Sequence, residues 1–254
     1  MARALPRTLH VISKQTVTPN MLRVTLGGDG MLDFPEDQAG GYIKLMFTTE
    51  AESKPLMRTY TIRKQREDQM DVDFVLHSDR GPASNWATHC KVGDSIVVGG
   101  PGLKKPLDHS ADYFLLVGDM TALPAISVNI EALPADAQGA AILEVIDQAD
   151  IQPLNAPAGM ELIWIINHQP GQRPEALASR VRQLHWPDGR VNVWAACEFT
   201  GMRALRQYFR DERQVDRGDL YISSYWKQGS NEDQHKQLKR EDAVQAEGTQ
   251  VMAG

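Results

Sequence analysis

The rhythm of this chain changes at Pro106, and that change limits the folds open to it. Before it, from His10 to Leu107, short β-rich runs are separated by turn signals; after it, unbroken apolar runs alternate with helical stretches. Alternation with a period of two makes half-buried antiparallel strands, whereas a continuous apolar run makes a strand covered on both faces. The runs of the first half are residues 11–17, 21–27, 42–47, 58–63, 70–77 and 94–98. Thr18-Pro19-Asn20 joins the first two as a turn set by the fixed φ of proline. In residues 42–47, Ile43, Leu45 and Phe47 alternate with Tyr42, Lys44 and Met46. About six strands with no long helix predict a closed antiparallel β-barrel. In the second half, strands are expected at 113–117, 141–146, 162–166, 191–195 and 220–224. Helices are expected from Pro124 through Leu133, at 174–184 and at 201–212. Strand and helix in alternation predict a parallel sheet with helices on both sides. The expected fold class is β + α/β, with a barrel domain at residues 1–108, an α/β domain at 109–229 and a polar tail at 230–254.

Composition narrows the function classes. A formal charge of −6 argues against a general nucleic-acid binder. Cys90 and Cys197 stand far apart, without Cys-x-x-Cys or metal-ligand spacing, which fits a reducing compartment and no metal site. Met1-Ala2-Arg3-Ala4-Leu5-Pro6 holds no apolar core of signal-peptide length, and the longest apolar runs, such as residues 162–166, are too short to span a bilayer. A cytoplasmic monomer without stable membrane association is expected.

Two stretches of the first half carry chemistry. In Arg58-Thr59-Tyr60-Thr61-Ile62-Arg63, alternation puts Arg58, Tyr60 and Ile62 on one face and Thr59, Thr61 and Arg63 on the other. A guanidinium that forks onto phosphate thus sits beside a ring that can lie along another ring. Taken alone, the stretch also suits an ordinary strand with surface arginines. The second stretch, from His77 to Trp86, breaks at Gly81-Pro82 and presents Ala83 and Ser84 before Trp86. Small residues at a helix start let backbone N–H groups approach an anion, and Pro82 suits an early helical position. A capped loop with a short helix is the plain alternative.

Together these stretches carry a resemblance. Arg58-Thr59-Tyr60-Thr61 resembles the Arg-x-Tyr-Thr flavin-binding signature of the ferredoxin–NADP reductase superfamily. Gly81, Pro82, Ala83, Ser84, Trp86 and Ala87 match the Gly-Pro-Ala-Ser-x-Trp-Ala segment of the siderophore-interacting protein family of ferric-siderophore reductases. Gly118, Asp119 and residues 121–126 match that family's Gly-Asp-x-Thr-Ala-Leu-Pro-Ala-Ile. The likeness runs in order over roughly residues 8 to 229. It implies a flavin-binding barrel followed by a nicotinamide-domain-like half, with FAD as cofactor. Arg58 and the backbone of 81–84 would hold the pyrophosphate, with Thr59, Pro82 and Trp86 in the same segments. Tyr60, Thr61 and His77 would lie along or beside the isoalloxazine, and Asp119, Thr121 and Ala122 where the two domains meet. His77 lacks a second ligand at i+2 or i+4 for a metal.

The remaining features bear on donor and substrate. Residues 118–124 are not the Gly-x-Gly-x-x-Gly fingerprint, and Thr121 is placed to cap the following helix. The resembled family has glycine before Glu198, where this chain has Cys197; glycine there lets a cofactor approach the backbone. Arg203, Arg206 and Arg210 ride one helix and read as a solvated face. Tyr225-Trp226-Lys227 resembles the family's aromatic-basic ending, with Trp226 at the flavin edge. Lys227 and Lys44 would attract an anionic ferric complex, or else are plain surface lysines. Residues 230–254 are expected to form a marginal helix or a disordered end, with Ser230 as a cap and Glu232–Lys236 as an i, i+4 pair. By resemblance, that tail tilts the donor from NADH or NADPH toward ferredoxin. The implied activity is reduction of Fe³⁺ in an imported ferric siderophore, by outer-sphere transfer that needs no catalytic acid or base. A general NAD(P)H:flavin or ferredoxin oxidoreductase and a non-enzymatic siderophore-binding accessory are the alternatives.

Overall fold

The first half closes on itself because its two outermost strands are consecutive pieces of chain. The computed structural model describes residues 5–47, 55–76, 81–230 and 232–251. In it β1 (Arg7–Thr18), β2 (Met21–Gly27), β3 (Tyr42–Phe47), β4 (Leu56–Thr61), β5 (Lys64–Gln65), β6 (Gln69–Val75) and β7 (Ser95–Gly102) form one antiparallel sheet, ordered β4-β3-β7-β1-β2-β6-β5. Only Ile62 and Arg63 separate β4 at one end from β5 at the other. Arg63 N–H donates to Asp71 O of β6 at 2.8 Å, and Ile62 N–H to Gly41 O at 2.9 Å. The inward set, including Leu9, Val24, Leu26, Ile43, Leu45, Ile62, Val72 and Phe74, is fully buried and makes the barrel core. The run 94–98 continues to Gly102 although Gly99-Gly100-Pro101-Gly102 reads as a turn. A Cβ on Gly102 would lie 2.0 Å from the Tyr42 ring, so the ring packs over bare backbone where β3 and β7 meet. Helix α1 (Pro82–His89) seals the barrel with buried Ala83 and Ala87.

In the second half β8 (Tyr113–Gly118), β9 (Gln138–Val145), β10 (Gly159–Ile166), β11 (Val191–Glu198) and β12 (Leu220–Trp226) make a wholly parallel sheet, ordered β10-β9-β8-β11-β12. The helices are α2 (Leu123–Glu131), α3 (Ala176–Arg182), α4 (Phe199–Gln207), extended by a π turn over Tyr208–Glu212, and α5 (Glu232–Val251). The strand order turns back between β8 and β11. The crevice at their carboxyl ends is the switch point where open α/β sheets bind ligands. One face of the sheet packs on α2 and takes Val17, Met21 and Val75 from the barrel into its core. The other is covered by α3 and α4.

Two polar contacts fasten the halves together. Asp150, with no exposed surface, accepts from Thr18 Oγ1 (2.7 Å), Asn20 N (2.9 Å), Asn20 Nδ2 (2.8 Å) and Asp147 N (3.0 Å). Arg63 meets Glu131 of α2 bidentately at 2.5 and 2.9 Å.

Of the two expectations for the tail it is the helix that forms, as α5, and it docks. Leu238 joins the core beside α4, and His235 meets the Phe199 ring edge-on at 6.4 Å. Asp242 takes a bidentate pair from Arg206 at 2.6 and 2.8 Å and lies 3.4 Å from Arg203. Arg206 of α4 therefore faces a neighbouring helix, whereas Arg203, with 57% of its side chain exposed, keeps the solvated face that its spacing predicts. The side chain of Glu232, and with it the expected pair to Lys236, lies outside those described.

Candidate functional site

Register decides which side chains of β4 work together. Arg58 stands opposite Leu45, Tyr60 opposite Ile43, and Thr59 opposite Lys44. Opposed residues of an antiparallel pair point to the same face. Arg58 and Tyr60 therefore share the face of the buried Ile43 and Leu45, and Thr59 and Lys44 share the outer one. Tyr60 is half-buried with its ring 4.4 Å from that of Phe74; Phe74 lies 5.9 Å from Trp86, and Trp86 lies 6.2 Å from Phe47. This aromatic row ties β3, β4 and β6 to α1. Arg58 Nη1 donates to the Met57 carbonyl at 2.9 Å, and Thr61 stands opposite Tyr42. His77 lies outside the described residues.

The start of α1 fits an anion. Among the described residues no side chain caps it and a Cβ on Gly81 would meet nothing within 4 Å, and Pro82 brings no N–H. Ala83 and Ser84 are buried, and the Ser84 hydroxyl turns back to donate to Gly81 O at 3.1 Å. A ligand approaching this open turn meets backbone N–H groups at the positive end of the helix. With Arg58 and the half-buried Tyr60 ring on β4, tied to α1 through Phe74 and Trp86, the residues present fit a flavin nucleotide, a planar head with a pyrophosphate tail.

At the switch point the carboxylates look inward. Asp119 Oδ1 accepts from Thr121 N (3.0 Å) and Thr121 Oγ1 (2.5 Å), and Oδ2 from Glu198 N and the Trp226 indole, both at 2.8 Å. Burial pushes the Asp119 carboxyl up, against the pull of those four bonds. Asp119 is thus a hub joining the ends of β8, β11 and β12. Thr121 does not cap α2 as expected: its hydroxyl closes the turn on Asp119, and Ala122 is the N-cap residue, without a side-chain bond. Ala122 itself has no exposed surface.

Glu198 caps α4 instead, accepting from Thr200 N (2.5 Å) and Gly201 N (3.3 Å), and also from Gln228 N (3.2 Å). Lys227 is drawn to it, with Nζ 3.7 Å from Glu198 Oε1, 3.2 Å from Thr200 Oγ1 and 5.2 Å from the centre of the Phe199 ring. Lys44, in contrast, is half-buried with no ion-pair partner among the described residues. Its face of β3 also carries Tyr42, which adds to the rise that burial imposes on the Tyr221 hydroxyl of β12.

Cys197 belongs to the core on the α3 and α4 side, whereas Ala196 belongs to the core on the barrel side. The thiol in place of glycine therefore does not enter the barrel-facing crevice, and burial raises it well above the usual thiol range. Beside it Glu144, 8% exposed, accepts from Asn167 Nδ2 at 3.0 Å and is pushed up to about 7, chiefly by burial. Glu198 and Glu144 were absent from the expected site. The signal for Glu198 was legible, a strand end one residue before Phe199-Thr200-Gly201, whereas Glu144 reads in sequence as a plain strand residue. Among the described residues no group of three His, Cys, Asp or Glu side chains could hold a metal, and no helix is long and apolar enough to cross a membrane.

Comparison with known proteins gives a consistent result. The family model described as Siderophore-interacting protein matches residues 111–229, and Siderophore-interacting FAD-binding domain matches residues 10–54 and 48–105. Ferric vibriobactin reductase ViuB of Vibrio cholerae is 35% identical, over 91% of this chain and 93% of that protein. The crystal structure of the siderophore-interacting protein SipS from Aeromonas hydrophila superposes with a TM-score of 0.85 at 34% identity, covering 94% of this chain and 98% of that one. Ferredoxin-NADP+ reductase from Plasmodium falciparum shares the fold at a TM-score of 0.62 and 12% identity, covering 87% of this chain and 96% of that one.

Proposed function

This chain belongs to the siderophore-interacting protein family and is a flavin-dependent oxidoreductase, and from that premise we propose that it is a cytoplasmic ferric-siderophore reductase. The observation that carries the reading is the aromatic row from Tyr60 of β4 through Phe74 to Trp86, which ties the Arg58–Tyr60 face to α1, a helix whose start has no side-chain cap among the described residues. Arg58 and the amides of Ala83 and Ser84 would hold the pyrophosphate of FAD, while Tyr60, packed on Phe74 and through it on Trp86, would support the flavin ring. FAD supplies a carrier that takes electrons in pairs and releases them singly. Each ferric complex takes one electron and becomes ferrous. Hard oxygen ligands hold Fe²⁺ less firmly than Fe³⁺, so the metal leaves.

The chain's own residues hold and orient. Asp119 fixes the Trp226 indole at the domain junction, and Trp226 closes the flavin edge. Lys44, unpaired among the described residues, attracts the anionic complex. Lys227 contributes less, because Glu198 and Thr200 engage it. Glu198 bears on the donor. Its carboxylate occupies two amides at the start of α4, beside the switch point, which an anionic group of a nicotinamide nucleotide would otherwise meet. This favours ferredoxin or a similar one-electron protein over NADH or NADPH.

The test is anaerobic bleaching of the bound flavin by NADH, NADPH and reduced ferredoxin in turn, followed by a ferric siderophore and a ferrous chelator. Bleaching by ferredoxin, then recolouring with ferrous iron trapped, is expected. A colourless protein that stays so with added FAD, or no ferrous iron from any donor, defeats the proposal.

A further inference from the structure

The parallel sheet ends in two unlike edges. At one, β12 is met by α5, whose Lys239 donates to Ser224 O at 2.9 Å. At the other, β10 pairs with β9 alone, in unbroken register from Gly159 to Ile166. Apart from Met160 N–H, which turns back to Pro157 O at 3.0 Å, the main chain of β10 has no partner outside that ladder among the described residues. Such an edge is a template for a further strand, and proteins blunt it with proline, lysine, a bulge or a cover. β10 has no proline, lysine or bulge, and Leu162, Trp164, Ile165 and Ile166 keep part of their surface. Its single charge is the exposed Glu161. Glu161 shares a face with Ile163 and Ile165, which pack toward α3. Burial, and after it the charge of Glu161, raises the hydroxyl of Tyr113 of β8, which packs on that side as well. On the same face, against Ile165, lies a cavity of about 370 Å³ lined also by Arg173, Glu175, Ser179 and Arg180. Glu175 lies 3.8 Å from Arg182 Nη1. The guanidinium groups of Arg173 and Arg180 and the carboxylate of Glu161 have no hydrogen-bond or ion-pair partner among the described residues.

We propose that β10 is the interface between two copies of this chain, paired antiparallel about a two-fold axis at Ile163, with Glu161 of each copy reaching Arg180 of the other. A two-fold contact is self-complementary, and opposed residues of an antiparallel pair share a face. A slip by one residue would turn every side chain over, so only alternate registers are open. With Ile163 opposite its own copy, Glu161 stands opposite Ile165 of the other copy, about 5 Å away. Its carboxylate then enters the cavity beside Ile165, where Arg180 and Arg173 have no other anion to meet. A lone carboxylate deters an unmatched strand and selects the one that brings cations. Two five-stranded sheets become one, in place of the monomer expected from the sequence. One strand pair with two symmetric ion pairs is a smaller contact than the standard interface of about 1,600 Å², which puts the dimer Kd at about 1–100 µM.

The test is sedimentation velocity of the full chain from about 1 to 300 µM, a span that brackets the expected Kd. A reversible monomer–dimer equilibrium is expected, and amide exchange within residues 160–166 should slow as the dimer forms. Glu161→Arg and Arg180→Glu should each weaken the dimer about tenfold or more, since each sets like charges against one another. The double variant restores opposite charges and should recover most of the parent's affinity. Glu161→Gln should weaken the dimer in the same sense by less, and serves if a charge reversal fails to fold. A parent that stays monomeric throughout, a dimer undiminished by the single variants, a double variant no tighter than the singles, or β10 amides whose exchange ignores concentration overturns the proposal.

Discussion

Replacing Asp150 by alanine tests whether the two halves are fastened by the contact that the structure singles out. The carboxylate accepts four hydrogen bonds, three of them from Thr18 and Asn20 on the β1–β2 turn of the barrel. Thr18 Oγ1 is buried and would lose its only acceptor on this side, costing about 2 kcal/mol; the three part-buried donors can be rehydrated at about 0.5–1 kcal/mol each. Removing a carboxylate with no exposed surface returns part of its desolvation cost. The net loss is about 3–4 kcal/mol. For a chain of this size that lowers Tm by about 10 °C, at about 2–4 °C per kcal/mol. The assay is thermal and urea unfolding of Asp150→Ala, Asn20→Ala and the double variant. Because both residues serve one contact, the double variant should be scarcely less stable than Asp150→Ala alone. A Tm drop below 2 °C, or fully additive losses, would refute the reasoning.

Two further outcomes follow from single side chains. Glu144 holds its proton to about pH 7 when folded and only to about 4.5 when unfolded, so its stabilising contribution is complete below pH 4.5 and is lost as pH rises through 7. Glu144→Gln keeps an acceptor for Asn167 and removes the titration; its Tm advantage over the parent should grow between pH 5 and pH 8, by about 1–3 kcal/mol, and a constant gap would refute this. Lys44→Ala should raise KM for an anionic ferric siderophore about three- to tenfold at unchanged flavin content, and Lys227→Ala by clearly less; equal effects would remove the distinction drawn from the Glu198 pair.

Most of the architecture was legible because it rests on local periodicity. The inward Ile43 and Leu45, the unbroken run at the start of β8 and the Gly81-Pro82 break each encode a local choice that tertiary packing had no reason to override. Segments of the candidate flavin site were legible for a related reason: Arg58, Tyr60 and the start of α1 lie in short runs whose spacing is itself the geometry. What the sequence could not supply was every relation between distant elements. Asp119, Glu198, Trp226 and Lys227 lie up to 108 residues apart, and only the parallel register of β8, β11 and β12 brings them to one crevice, where Glu198 takes the lysine that sequence left facing the substrate. Likewise α5 is built of helix-favouring residues but is poor in apolar ones, so its sequence shows no face by which it would dock. It docks through Leu238, His235 and Asp242 meeting α4 and β12, and that meeting draws Arg206 out of an otherwise solvated row of arginines. Propensity and pattern act over a few residues, whereas charge pairing and desolvation act across whatever the fold brings together. The sequence therefore determined the two rhythms and the candidate cofactor-binding segments, and only the tertiary structure decided which charges meet across distant elements.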